Sequence, residues 1–274
     1  MADVWVVWAV FKRNLRTLAR YPANTVGMAF VPLVQTLIPS LLLGSAFLVA
    51  GRAVGLARST GSLDMAGFLF VGVFVSTVTF GIFWGTGLVA MNELNTGTLE
   101  ATWLTPASRE SLIIGAALSS LIASLIAGGL LLAAGWLIFG ARYLISIAMA
   151  APALALVVVG LVGLAYLVTA AVLVIKDVNF MIDTVSFLLM AGSGVLFPVT
   201  VLPSVLLALS LALPMTYMVD IARAEALGTR PLAPSMTIEY LALAGTGLAM
   251  LIVGRFAFRW AERRVRQTGS LGQY

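Results

Sequence analysis

The chain contains no cysteine and no histidine, and only two of its residues, Lys12 and Lys176, are lysines. The missing thiols and imidazoles exclude disulfides, thiolate or imidazole metal sites, cysteine nucleophiles and histidine-based triads. Neither lysine follows a glycine, so the sequence has no Gly-Lys-Ser/Thr phosphate loop, and any ATP chemistry falls to another chain. Charge is scarce as well. Of the 274 residues 10% are charged and 61% are hydrophobic, against roughly 25% and 45–50% in a soluble domain. With a mean hydropathy of +1.07, the chain cannot build a charged shell in water, and its natural solvent is a bilayer.

The few charges are spaced so that long uncharged windows separate them. Residues 21–51, 65–92, 111–141 and 143–175 carry no Asp, Glu, Lys or Arg, and each window exceeds the roughly 20 residues that a helix needs to cross the hydrocarbon core. The run 184–219 is broken by Pro198, Pro203 and Pro214, so it predicts a fifth span followed by a re-entrant hairpin, because proline at membrane depth suits backbone buried in protein. The stretch Met236 to Phe258 completes the set, with Glu239 and Arg255 near opposite ends and within reach of the interfaces. The expected fold is an all-α polytopic membrane protein forming one transmembrane domain. Its spans lie at about 25–50, 65–91, 111–138, 146–175, 180–196 and 236–258, with the hairpin at about 197–214.

Six spans place both termini on one side. The segments on that side carry eleven Lys and Arg, with Arg255 counted at their boundary; Arg52, Arg58, Arg142, Arg223 and Arg230 lie opposite. The positive-inside bias therefore predicts both ends in the cytoplasm of a multi-pass protein of the cell inner membrane. Over residues 3–20, Trp5, Trp8, Phe11, Leu15 and Leu18 share one helical face and Arg13, Arg16 and Arg20 the other. This pattern predicts an amphipathic interfacial helix that either anchors to anionic lipid headgroups or carries motion from a cytoplasmic partner to the first span.

Between spans two and three the sequence reads NELNTGTLEATWLTPASR from Asn92 to Arg109. Asn95 or Thr96 is placed to cap a short helix from Gly97 to Leu104 that ends before Pro106 and presents Leu99, Glu100 and Trp103. Such a helix fits a groove on a partner, or else serves as an interfacial loop with an aromatic anchor. On the second span Phe70, Phe74, Phe80 and Trp84 fall within one broad arc, where they either line a substrate path or pack against lipid and neighbouring helices. Lys176, Asp177 and Asp183 cluster at the start of the fifth span, as an ion path or as a local turn with a Lys-Asp pair. Small residues at Gly81, Gly85, Gly160 and Gly163 recur at the spacing of close helix packing.

Glu93, then Gly97-Thr98-Leu99-Glu100, then Thr105-Pro106-Ala107-Ser108-Arg109, then Gly115 resemble the signature of type 2 ABC transporter permeases. Phe197-Pro198, Leu202-Pro203, Leu213 through Tyr217, Arg223 and Gly228 are similar to that family's external re-entrant hairpin and following loop. The resemblance implies a permease subunit of an ATP-driven exporter, with Glu93, Gly97, Leu99, Glu100, Trp103, Pro106 and Arg109 on a helix docked against a separate ABC ATPase subunit. It implies a second permease chain, identical or homologous, and no cofactor on this chain, since ATP and magnesium would sit on the partner subunit. The scarcity of spanning charge points to a hydrophobic or amphipathic cargo such as a lipid-linked glycan, a glycolipid or a drug. The expected partners are therefore proteins and membrane lipids, with no nucleic acid. The competing class is an ion-coupled secondary transporter or channel, which should carry carboxylates at the midplane of its spans.

Overall fold

A computed structural model of the chain describes residues 2–46, 48, 53–96, 108–139, 151–175 and 178–268. Its helices are α1 (Ala2–Arg20), α2 (Pro22–Pro32), α3 (Ile38–Ser45), α4 (Val54–Thr60), α5 (Met65–Asn95) and α6 (Arg109–Phe139), followed by α7 (Ala151–Val174), α8 (Val178–Gly192), α9 (Ser204–Leu211), α10 (Pro214–Leu227) and α11 (Met236–Thr268). A π-helical turn at Leu33–Leu37 joins α2 to α3, and a 3-10 turn at Val199–Val201 precedes α9. No strand occurs among the described residues.

Among the described residues, five helical runs are long and apolar enough to cross a membrane: Val26–Ser45, Met65–Glu93, Arg109–Leu137, Pro152–Val174 and Met236–Gln267. A sixth arises if α9 and α10, bent by 86° at Pro214, are taken as one broken span. The stretch expected to span at 180–196 is instead the 15-residue helix α8. At about 1.5 Å per residue it reaches roughly 22 Å, short of a hydrocarbon core of about 30 Å. Gly194 ends this segment in the left-handed region (φ 74°), which glycine adopts without strain. Of the first expected span, 25–50, the helical run reaches Ser45, and residues 47, 49 and 50 lie outside the described residues.

Local chemistry fixes where the long helices begin. The Asp64 carboxylate accepts from the Gly67 amide at 2.9 Å and caps α5, and Ser108 Oγ accepts from the Ser111 amide at 3.3 Å at the start of α6. Pro214 opens α10 at a position where its missing N–H costs nothing. Gly228, at φ 64°, closes α10.

Helix α5 is the centre of the bundle, with 78% of its apolar window buried against 22% for α11. Lipid offers helices no hydrophobic reason to associate, so close approach through small side chains holds them together. Gly81 and Gly85 on α5 face Ser124 and Ser120 on α6. Gly160 and Gly163 on α7 meet Gly247 and Gly254 on α11 at backbone contact, and a Cβ on Gly163 would run into the Met250 and Leu251 backbone. Tyr166 and Phe258 continue the same seam with ring centroids 5.7 Å apart.

Candidate functional site: the clamp at the α5–α6 end and the groove beside it

The end of α5 and the start of α6, the two stems that flank residues 97–107, are both tied down by charge. On the α5 stem, Glu93 Oε1 accepts from Arg13 Nη2 of α1 at 2.7 Å. On the α6 stem, Arg109 Nη1 donates to Glu262 of α11 at 2.5 Å. The adjoining Glu110 takes Arg255 and Arg259, one turn apart on α11, at 2.8 and 2.9 Å. The Ser111 hydroxyl donates to Asp3 at 3.2 Å, which brings the start of α1 to the same stem. Hydrogen bonds from Ser108 and Ser111 hold the Asp3 carboxyl below its usual range. Lower on α1, Asn14 Nδ2 donates to Ser119 at 3.0 Å, and Val10 packs where a Cβ on Gly115 would stand.

Of the residues expected to form the coupling helix, Glu93 and Arg109 take part in this clamp. Gly97, Leu99, Glu100, Trp103 and Pro106 lie outside the described residues, as do Lys176 and Asp177. Two features escaped sequence reading. Arg255, expected to reach an interface, is half exposed and pairs with Glu110 at the start of α6, a partner 145 residues away that no sequence spacing indicates. Glu262 pairs with Arg266 one turn on, and its contact with Arg109, 153 residues away, is legible only in three dimensions.

A groove of about 550 Å³ runs beside the clamp between α2, α5, α6 and α8. The arc of aromatics on α5 divides here. Phe80 and Trp84 line the groove, while Phe70 is buried against Gly135 and Phe74 packs over Gly128, both on α6. A helix has neighbours on more than one side, so one broad arc can serve two surfaces. Toward the clamp the groove adjoins a second cavity of about 580 Å³ that reaches Arg13 and Glu93 and shares Met28, Gly81 and Leu88 with it.

At the opposite end of α5, Arg223 departs from expectation. It lies on helix α10 and not in a loop, and only 3% of it is exposed. Its guanidinium donates to the carbonyls of Phe68 (3.1 Å), Gly194 (2.6 Å) and Val195 (2.6 Å) and stacks 3.4 Å over the Phe68 ring. The fork geometry of arginine serves the two carbonyls of Gly194 and Val195, which lie outside any helix, and adds a bond to the helical carbonyl of Phe68, which makes its burial tolerable. The prolines Pro198, Pro203 and Pro214 mark the turns around it: Pro198 precedes the 3-10 turn, Pro203 precedes α9 and Pro214 begins α10. Glu239, placed by sequence near an interface, is fully buried, with Oε1 accepting from the Ala233 amide at 2.9 Å.

The long apolar helices and their glycine seams define a polytopic, helical membrane protein. The family model described as ABC-2 type transporter matches residues 6–226, and the chain belongs to that family. Its members are membrane components that work with ABC ATPase subunits and are not themselves the ATPase. No curated protein matches the chain.

Proposed function

We propose that this chain is the permease subunit of an ATP-driven exporter. With a second permease, identical or homologous, it forms a path for a hydrophobic or amphipathic substrate, a lipid-linked glycan, a glycolipid or a drug, and separate ATPase subunits drive it between inward- and outward-facing states. The observation that carries the reading is the clamp. Both stems of the 97–107 segment are ion-paired to helices at the periphery of the bundle, Glu93 to α1 and Arg109 and Glu110 to α11. A push on that segment would therefore be delivered to α1, α5, α6 and α11 together, and none of these helices need absorb it alone. In this reading Gly97, Leu99, Glu100, Trp103 and Pro106 dock on the ATPase. ATP and magnesium stay on that partner, both termini lie in the cytoplasm, and α1 rests at the membrane interface of the cell inner membrane. Trp5 and Trp8, both largely exposed on α1, support the interfacial seat.

The test is co-purification of the chain with its ATPase subunit, followed by hydrolysis assays on the complex and on the chain alone. Turnover should appear only in the complex. Hydrolysis by the isolated chain above a mock preparation would overturn the assignment.

A further inference from the structure

The groove between α2, α5, α6 and α8 has a lopsided polar lining. Its described lining residues include no Lys or Arg, and its only charge is the carboxylate of Asp183 on α8. Asp183 is exposed and has no hydrogen-bond or ion-pair partner among the described residues. Gln35 and Thr36 can donate or accept, but three other hydroxyls turn lone pairs to the groove. Ser76 and Thr77 each donate their hydroxyl proton to the Val73 carbonyl at 2.8 Å, and Ser124 donates to Leu121 at 2.9 Å. The indole N–H of Trp84 is also committed, to Ser186 Oγ at 3.1 Å.

That last bond fixes the geometry. It ties α8 to α5, and Asp183, one turn before Ser186, shares the face of α8 that lines the groove with Met190, one turn beyond it. Across the groove the π-helical turn between Pro32 and Ile38 presents Gln35 and Thr36; single π turns inside α-helices occur frequently at functional sites. The aromatic faces of Phe80 and Trp84 complete a pocket that is apolar on most sides.

We propose that this groove binds cationic amphipathic molecules and that Asp183 is the residue selecting for their positive charge. An ammonium would find a carboxylate, hydroxyl acceptors and aromatic faces, while its apolar body replaced lipid along α2 and α8. An anionic molecule of the same size would meet one like charge and no cation among the groove's described lining residues, the Arg13 of the adjoining cavity being paired with Glu93. The inference rests on the permease reading above for the statement that the bound molecule is also cargo, and the binding statement stands apart from it.

The experiment uses the purified chain in nanodiscs and rhodamine 6G, a cationic amphipathic dye, beside an uncharged and an anionic rhodamine of matched size. Fluorescence polarisation on the unmodified chain should give an affinity for the cation roughly tenfold or more above that for the neutral dye, one decade being the scale of a single partly screened charge contact. Asp183→Asn should abolish that preference with the neutral dye unchanged, and Asp183→Glu should retain it. Equal binding of all three dyes to the unmodified chain, or a preference that survives Asp183→Asn, would overturn the proposal. A second arm measures ATP-driven uptake into inverted vesicles carrying the complex with its ATPase. Charge-selective binding without uptake rejects the permease reading and keeps the site. Uptake of neutral or anionic amphiphiles that is indifferent to Asp183 keeps the permease reading and rejects the site.

Discussion

Arg13 on α1 and Glu93 on α5 lie 80 residues apart in sequence and form a 2.7 Å ion pair at the head of the segment that joins α5 to α6. Arg13 is half exposed, so the pair stabilises the fold by less than about 1 kcal/mol. Its consequence is positional: it biases α1 to stay with the α5 stem.

Reversing one charge, by Glu93→Arg, should leave expression and thermal stability nearly unchanged and lower transport-coupled ATP hydrolysis by roughly fivefold, the low end of a coupling free energy. The double reversal, Arg13→Glu with Glu93→Arg, should recover most of the loss. If hydrolysis by the reconstituted complex is the same for the unmodified chain and both variants, the pair plays no part in coupling.

Trp103→Ala tests the docking role of the connecting segment. An aromatic hot spot lost from a partner groove costs on the order of 2 kcal/mol of association, so less ATPase should be recovered in a pull-down while membrane insertion is normal. Full recovery and full turnover would leave Trp103 as a headgroup anchor.

Arg223→Met should destabilise the protein. It removes the donors of the Gly194 and Val195 carbonyls and the second donor of Phe68, and buried acceptors left without donors cost about 1–3 kcal/mol each. The melting temperature in detergent should fall by many degrees, and Arg223→Lys should rescue little, because an ammonium lacks the planar fork. A melting temperature within a degree of the unmodified chain in Arg223→Met would contradict the account.

Gly163→Val should block the crossing of α7 and α11, since the added atoms meet the Met250 and Leu251 backbone, which cannot turn aside as a side chain does. Monodisperse protein by fluorescence-detected gel filtration should be lost. Gly129→Val on α6 is the control, because nothing lies within 4 Å of its would-be Cβ; its elution profile should match that of the unmodified chain.

Topology is open to single-cysteine labelling, since the chain has no native cysteine. Arg58→Cys, Arg142→Cys and Arg230→Cys should label from outside intact cells with an impermeant maleimide, and a cysteine added at the C-terminus should label only after permeabilisation. Labelling of position 58 from the cytoplasmic side alone would invert the assignment.

Composition and charge spacing alone determined that the chain is an all-helical membrane protein, because a helix is the one element that satisfies its own backbone in lipid and the uncharged windows mark where it fits. The motif around Glu93 and Arg109 likewise pointed to the ABC-2 type transporter family that the family comparison shows. Tertiary structure decided the rest. Nothing in the window 184–219 reveals that α8 stops at Gly192 or that α9 and α10 meet at 86°, since proline marks a break without fixing its angle. The burial of Arg223 was invisible, because its partners are carbonyls, which every residue carries and no sequence pattern advertises. The pairing of Arg109 with Glu262 and the division of the α5 aromatics between packing and groove depend on which helices become neighbours. In lipid that choice is made by shape at small residues, not by hydrophobicity, and so hydropathy carries no record of it.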